Sequence, residues 1–280
     1  MRRKLKDIII ESKKYISEEL SFEEIKWLLK DIFSLEEYQL ITLKEEYFDD
    51  DDEYFTLLKK AEIVPVSYLL GYQDFFSYRF KVNKNVLIPR NETEELVKNT
   101  LEYIVNNKYN SINILEIGSG SGCISITLKK ELEKLKIKSK IISCDISPEA
   151  LEIAKENAEN LNADVQFVLS DCLENIKDND FDLIISNPPY ISKNEYVSPR
   201  VLANEPKMAL FSDETGLEIY EKIFYQSLKI SSLKAFFFEI SPEIIDGLEK
   251  LKKHYYKDFT SNYLKDINGL IRYAHFIKND

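Results

Sequence analysis

The sequence predicts an α/β fold in which a mostly parallel sheet, ending on an antiparallel strand, carries helices on both faces and is preceded by a small helical bundle. Three observations carry that prediction. From residue 112 onward, apolar strand-like runs alternate with helical stretches. Before residue 65, the apolar residues fall instead in short clusters at helical spacing. Near the C-terminal end, Asn268-Gly269 separates two runs rich in aromatic and β-branched residues, the mark of a tight hairpin.

In chain order, Leu5, Ile8 and Ile9 with Tyr15 and Ile16, then Ile25, Leu28 and Leu29 with Ile32 and Phe33, define the helical faces of the bundle. Ser21 with Glu24, Ser34 with Glu37 and Thr42 with Glu45 each have capping-box spacing, in which hydroxyl and carboxylate satisfy orphan amides reciprocally, so three helix starts are expected. The acidic run Asp49 to Glu53 is expected to be a solvated loop. These elements make a first domain of residues 1–72. From Pro65 the texture becomes aromatic and β-branched, with Gly71 and Asn83 as turn signals, which predicts a hairpin or extended connector at 73–90. Residues 91–280 form the second domain. Its strands are INILEIG, KIISCDI, DVQFVLS, FDLIISN and AFFFEIS, with helices near 122–136, 147–160, 214–231 and 242–253. Near-continuous apolar strands of this kind belong to sheets covered on both faces. Strands near 258–265 and 270–277 complete the sheet.

Composition removes several function classes. With 38 Lys and Arg against 49 Asp and Glu the net charge is −11, which repels phosphate backbones at long range, so no direct nucleic-acid binding is expected. Residues 1–62 hold 17 acidic and 11 basic side chains, leaving neither half a basic face by count. No apolar stretch approaches a membrane span and the first residues lack a signal core, so a cytoplasmic protein is expected. Three cysteines without CxxC spacing and two histidines give a disulfide framework or a zinc site little to build on, and no metal is expected.

Only seven glycines occur, yet Gly118, Gly120 and Gly122 fall within five positions directly after INILEI. A strand, a glycine turn and a helix let backbone amides approach a ligand at the end of a parallel strand. The loop Gly118-Ser119-Gly120-Ser121-Gly122 differs from the pyrophosphate fingerprint, and Glu116 before it repels pyrophosphate but suits a cationic amine. Asp145, at the end of the next strand and beside Ile146, is placed to accept both hydroxyls of a ribose. Ser147-Pro148 starts the following helix. Asp171 after the third strand is placed for an adenine amino group, and the Cys172 amide for the ring. Together they describe an adenosyl pocket.

Asn187-Pro188-Pro189-Tyr190 ends the fourth strand. Two prolines cannot donate to a sheet ladder and fix the exit of the chain. The Asn187 side-chain carbonyl and the Pro188 main-chain carbonyl are two acceptors for the hydrogens of a planar NH₂ group, and Tyr190 offers a flat face to pack on it.

These motifs resemble the amino-methylating branch of class I S-adenosylmethionine-dependent methyltransferases. PVSYLLG (65–71), FKVNKNVLIPRNETEELV (80–97), NEPKMAL (204–210), TGL (215–217) and KDINGLIR (265–272) are similar to the peptide chain release factor glutamine methyltransferases, nearly end to end. The resemblance implies a Rossmann-like class I sheet, S-adenosylmethionine as cofactor with S-adenosylhomocysteine as product, cofactor contacts from Arg90, Glu92 and Thr93, and the glutamine of the GGQ motif in class I release factors as substrate. It also implies a monomer whose N-terminal domain meets the substrate. Two departures stand out. Asn91 replaces the family's usual proline, where it is expected to N-cap a helix with Glu94 at its third position, and Glu239-Ile240-Ser241 stands where EIG is usual. The rival readings are a ribosomal-protein glutamine methyltransferase, an adenine-N6 DNA methyltransferase, which must flip a base, and a non-catalytic binding module.

Overall fold

The computed structural model describes residues 2–49, 51–191 and 196–279. The chain folds into two compact units, Met1–Tyr72 with Tyr196–Asn204, and Gln73–Glu195 with Glu205–Asp280. The first contains β1 (Arg3–Lys4), α1 (Leu5–Ser12), α2 (Phe22–Ile32), α3 (Gln39–Thr42), β2 (Tyr47–Phe48), α4 (Asp51–Ala61) and α5 (Val66–Leu70). Its core gathers Leu5, Ile8, Ile25, Leu28, Leu29, Tyr54 and Leu58. Arg200, from the later segment, is buried in it, paired with Glu24 at 3.0 Å and bonded to the carbonyls of Glu19 and Val64.

Of the three expected capping boxes, only Ser21 with Glu24 forms, at the start of α2. Ser34 lies past the end of that helix at φ 52, where Leu35 N donates to Lys30 O (2.8 Å) and Ser34 N to Asp31 O (3.2 Å). That is a Schellman ending, which satisfies the last carbonyls of α2. Thr42 closes α3 with its hydroxyl on Tyr38 O. The glutamates that would complete those boxes bind lysines instead, Glu37 with Lys26 and Lys30, Glu45 with Lys4 and Lys6. The acidic run is not a loop throughout: α4 begins at Asp51, so Asp52 and Glu53 fall in its first turn, where the helix dipole favours carboxylates. Asp50 lies outside the described residues. The stretch after Pro65 is helical before it is extended, because Pro65 presets the entry to α5 and Gly71, at φ 79, ends it.

The second unit begins at Gln73, within the hairpin of β3 (Tyr72–Phe75) and β4 (Tyr78–Lys81), whose turn residues Phe76 and Ser77 both take positive φ, as a two-residue hairpin requires. There follow α6 (Asn91–Asn106), β5 (Ser111–Ile117), α7 (Cys123–Lys134), β6 (Lys138–Asp145), α8 (Pro148–Asn160), β7 (Gln166–Leu169) and β8 (Leu183–Ser186). After α9 (Pro199–Asn204), which belongs to the first unit, come α10 (Lys207–Leu210), α11 (Glu218–Ser227), β9 (Ala235–Glu239), α12 (Ile245–Tyr255), β10 (Phe259–Lys265) and β11 (Ile271–Lys278). The sheet order is β10-β11-β9-β8-β5-β6-β7, with β11 antiparallel to both its neighbours. The chain runs outward from β5 to β6 and β7, then returns to lay β8 on the other side of β5. Ligands of open α/β sheets bind at such a switch of direction. Both faces are packed. Phe236 and Phe238 meet Tyr220 and Phe224 on one, while Phe237 joins Leu96, Val97 and Ile126 on the other.

The first unit supplies a direct test of its helix ends. Ser21→Ala is expected to lower stability by about 1 kcal/mol through loss of the cap, whereas Ser34→Gly raises it by roughly 0.5–1 kcal/mol by relieving a left-handed conformation. Chemical denaturation of both variants checks the opposite signs.

Candidate active site

The carboxyl ends of β5, β6, β7 and β8 surround a cavity of about 600 Å³. Of the residues singled out from sequence, Arg90, Thr93, Gly118, Ser119, Gly120, Ser121, Asp145, Ile146, Asp171, Cys172, Asn187, Pro188 and Pro189 line it. Glu92, Glu116, Gly122 and Tyr190 are not among its lining residues.

Gly118, Gly120 and Gly122 take φ of 83°, 51° and 80°, a region that favours glycine. A Cβ on Gly120 would meet no atom within 4 Å, so this backbone faces open space, whereas one on Gly122 would stand 2.8 Å from Ile126 Cδ1 and 3.3 Å from Ala154 Cβ. Gly120 therefore exposes the loop, and Gly122 lets α7 start close to α8. The loop is held from below and from the side: Gly118 N and Ser119 N both donate to Cys144 O, and the Asn157 amide donates to Ser121 O while bonding the backbone of Lys81.

Asp145 is oriented by two backbone donors, Gly120 N on Oδ2 and Ser147 N on Oδ1, each at 2.9 Å. Burial raises its pKa from the ordinary value, against the pull of those amides. Asp171 pairs with Lys222 at 2.5 Å, and Lys222 also reaches Glu174 at 3.1 Å. Glu116 is wholly buried, takes the Ser143 hydroxyl on Oε2, and leaves Oε1 without a hydrogen-bond partner; burial pushes its pKa up to about 7.

The Asn187 amide donates from Nδ2 to Thr93 Oγ1 at 3.1 Å, and the Thr93 hydroxyl donates to Glu239 Oε2 at 2.8 Å. Tyr190 OH donates to the other oxygen of Glu239 at 3.2 Å, so one buried carboxyl ties both ends of the Asn187–Tyr190 string. Tyr190 is thereby committed to the protein interior side of the motif. Desolvation pushes the Glu239 pKa up to about 7. Arg90 is held by Glu205, whose second oxygen receives Ile88 N. Arg90, not Asn91, occupies the N-cap position of α6, without a side-chain cap, and Glu94 receives Phe76 N instead. The Glu92 carbonyl receives the Tyr273 hydroxyl. Sequence reasoning gave no role to Glu205, Lys222 or Asn157, and treated Glu239 only as part of a departure from a motif. Glu205 and Glu239 did lie in quoted motifs, which was the available signal.

The family model that matches the chain is the methyltransferase small domain, over residues 93–208. A 16S rRNA methyltransferase of T. thermophilus, solved in complex with AdoMet and guanosine, shares the fold at a TM-score of 0.53 and 12% identity, over 74% of this chain and 50% of that one. Sheet order, switch-point cavity and domain match together define a methyltransferase. Release factor glutamine methyltransferases are similar over most of their length, that of Bacillus cereus at 35% identity over 82% of this chain and 83% of its own, that of Staphylococcus aureus at 31% over 94% and 95%. The chain belongs to the release factor glutamine methyltransferase family.

The buried carboxyl beneath the motif has a measurable signature. A carboxyl raised in the folded state from 4.5 to about 7 binds more protons folded than unfolded across that window, so its contribution is full below pH ~4.5 and is lost as pH rises through ~7. His275, lowered to about 4 by burial, acts in the opposite sense between its ordinary 6.5 and 4, so the variant must be compared with the wild type at each pH. The stability of Glu239→Gln relative to wild type is expected to increase by on the order of 3 kcal/mol between pH 4.5 and 8. Denaturant titrations across that range measure it.

Proposed function

We propose that the protein transfers a methyl group from S-adenosylmethionine to the side-chain amide nitrogen of the glutamine in the GGQ motif of class I release factors, a modification within translation termination. The observation that carries this reading is the orientation of Asn187. With Nδ2 engaged by Thr93, its Oδ1 is the acceptor left for a substrate, next to the main-chain carbonyl of Pro188. An amide nitrogen is a poor nucleophile because its lone pair is shared with its carbonyl. Two acceptors on its hydrogens raise electron density at nitrogen and fix its direction, and such positioning supplies up to roughly 7–11 kcal/mol in favourable cases.

The cavity fits the cofactor. Its volume of about 600 Å³ lies within the range of small-molecule sites. Asp145 is a carboxylate pre-oriented by two amides for a diol, and the open direction above Gly120 admits a ligand against the backbone. When bound, the cofactor supplies an electrophilic methyl on a sulfonium. Asp145, beside the glycine loop, and Glu116 beneath it once ionised contribute negative potential, the sign that suits a cation. In this reading Asp171, Cys172 and Ile146 serve the adenine, Ser119 and Ser121 belong to the loop against the cofactor, and Arg90 and Thr93 line the cavity beside it, while Glu92 lies outside the lining.

The same reading assigns residues 1–72 to the protein substrate, 73–90 to the connector and 91–280 to the chemistry, in a cytoplasmic monomer that does not use nucleic acid. Among the described residues no helix is long and apolar enough to cross a membrane. Incubation with labelled S-adenosylmethionine and, separately, release factor, ribosomal protein and DNA, followed by mass-spectrometric location of the methyl, tests the substrate. Label on the GGQ glutamine is expected; label only on the other substrates refutes the reading.

Two substitutions separate binding from chemistry. Asp145→Ala is expected to raise the S-adenosylmethionine dissociation constant at least about tenfold, as loss of a charge-assisted bond worth ~1.5–3 kcal/mol requires; calorimetry reads it. Asn187→Ala is expected to leave that constant little changed and to slow single-turnover methyl transfer by on the order of 10²–10³.

A further inference from the structure

A primary amide has two ends of nearly equal shape and opposite hydrogen-bond character. Asn187 serves the proposed reaction in only one orientation, with oxygen toward the substrate. Its own strand does not set that choice. The choice is set by a relay that ends on Glu239, a residue outside the cavity lining. Thr93 has a single hydroxyl proton, given to Glu239 Oε2 at 2.8 Å, so toward Asn187 Nδ2, at 3.1 Å, its oxygen can only accept.

We propose that Glu239 is a positioning residue: as a carboxylate it takes the Thr93 proton, obliges Thr93 to accept from Asn187 Nδ2, and so turns Asn187 Oδ1 toward the hydrogens of the substrate amide. This rests on the proposed glutamine methylation. A proton taken from solvent on Oε2, the oxygen that faces Thr93, reverses the relay, since Oε1 already receives the Tyr190 hydroxyl. The acid then donates to Thr93, Thr93 donates to Asn187 Oδ1, and the amide presents hydrogens to hydrogens. The second oxygen of Glu239 is held by Tyr190 OH at 3.2 Å and its main-chain carbonyl by Tyr220 OH at 2.7 Å, so the carboxyl cannot swing away from Thr93 without breaking other bonds.

The groups facing Glu239 are Glu92 from α6, which disfavours its ionisation, Arg272 from β11, which favours it, and the Tyr190, Tyr220 and Tyr273 hydroxyls, with the Cys123 thiol of α7 also within its field. Burial outweighs them and brings the carboxyl up to about 7, where modest acidification protonates it.

The test compares wild type, Glu239→Gln and Glu239→Leu. In single-turnover methylation of release factor from pH 5.5 to 8.5, the wild-type rate is expected to fall about tenfold per pH unit below the carboxyl's midpoint. Gln can accept from Thr93 through its oxygen and donate to Tyr190 through its nitrogen, so Glu239→Gln is expected to stay near the wild-type plateau with a flat profile. Glu239→Leu is expected to be slow at every pH. A Glu239→Gln profile that bends like the wild type overturns the proposal.

A second readout needs neither substrate nor the leucine variant. The Asn187 side-chain NH₂ signals in a nitrogen-15 correlation spectrum, assigned by their absence in Asn187→Ala, are expected to move with pH in the wild type with a midpoint near 7 and to stay fixed in Glu239→Gln. Fixed wild-type signals overturn the relay. Moving signals in a protein that methylates no release factor uphold the relay and refute the substrate.

Discussion

The parallel pairing of β5 with β8 is the constraint on which the site depends. Its register sets Ile117 opposite Ser186, and Ser186 Oγ donates to Ile117 O at 2.6 Å, so the two strands end level. The next residues are Gly118 and Asn187. A Cβ on Gly118 would lie 4.0 Å from the Asn187 carbonyl, so the glycine loop and the proline-bounded loop leave the sheet side by side. Slipping this pairing by one residue would exchange the faces of β8 and displace the amide from the loop. The two loops that line the cavity are thus joined through one backbone ladder.

Much of the second unit was legible because its strands are short, apolar on both faces and bounded by glycine, proline or acid residues at the ends where ligands bind. Phe236, Phe237 and Phe238 read as a buried strand whichever face each one serves. The first unit was harder. The spacing that signals a capping box at Ser21 recurs at Ser34 and Thr42, and there the glutamates find lysines brought near by folding. Local pattern supplies the candidates, and tertiary charge partners decide among them.

The site divides in the same way. Residues that line the cavity from a loop, such as Gly120, Asp145 and Asn187, sit next to recognisable strand ends. Residues that hold those residues do not. Glu239 is 146 positions from the Thr93 it binds, and Glu205 is 115 from Arg90. A carboxylate that ends a strand looks the same in sequence whether it meets solvent or a buried hydroxyl. In the folded unit Glu116 and Glu239 are both buried near the cavity, and burial raises the pKa of each to about 7.

The segment Tyr196–Asn204 alters how the protein can be taken apart. It is encoded between two motifs of the second unit but packs with the first, where the guanidinium of Arg200 lies against Glu24 and the carbonyls of Glu19 and Val64. A boundary drawn after residue 72 therefore makes a tidy map and a poor scissor line. Expressed alone, the C-terminal piece carries a stranded arginine and an Asn204 amide parted from Ile63 O. A cleaner dissection replaces 196–204 together with the first unit, treating the two stretches as one module threaded through the chain at two points.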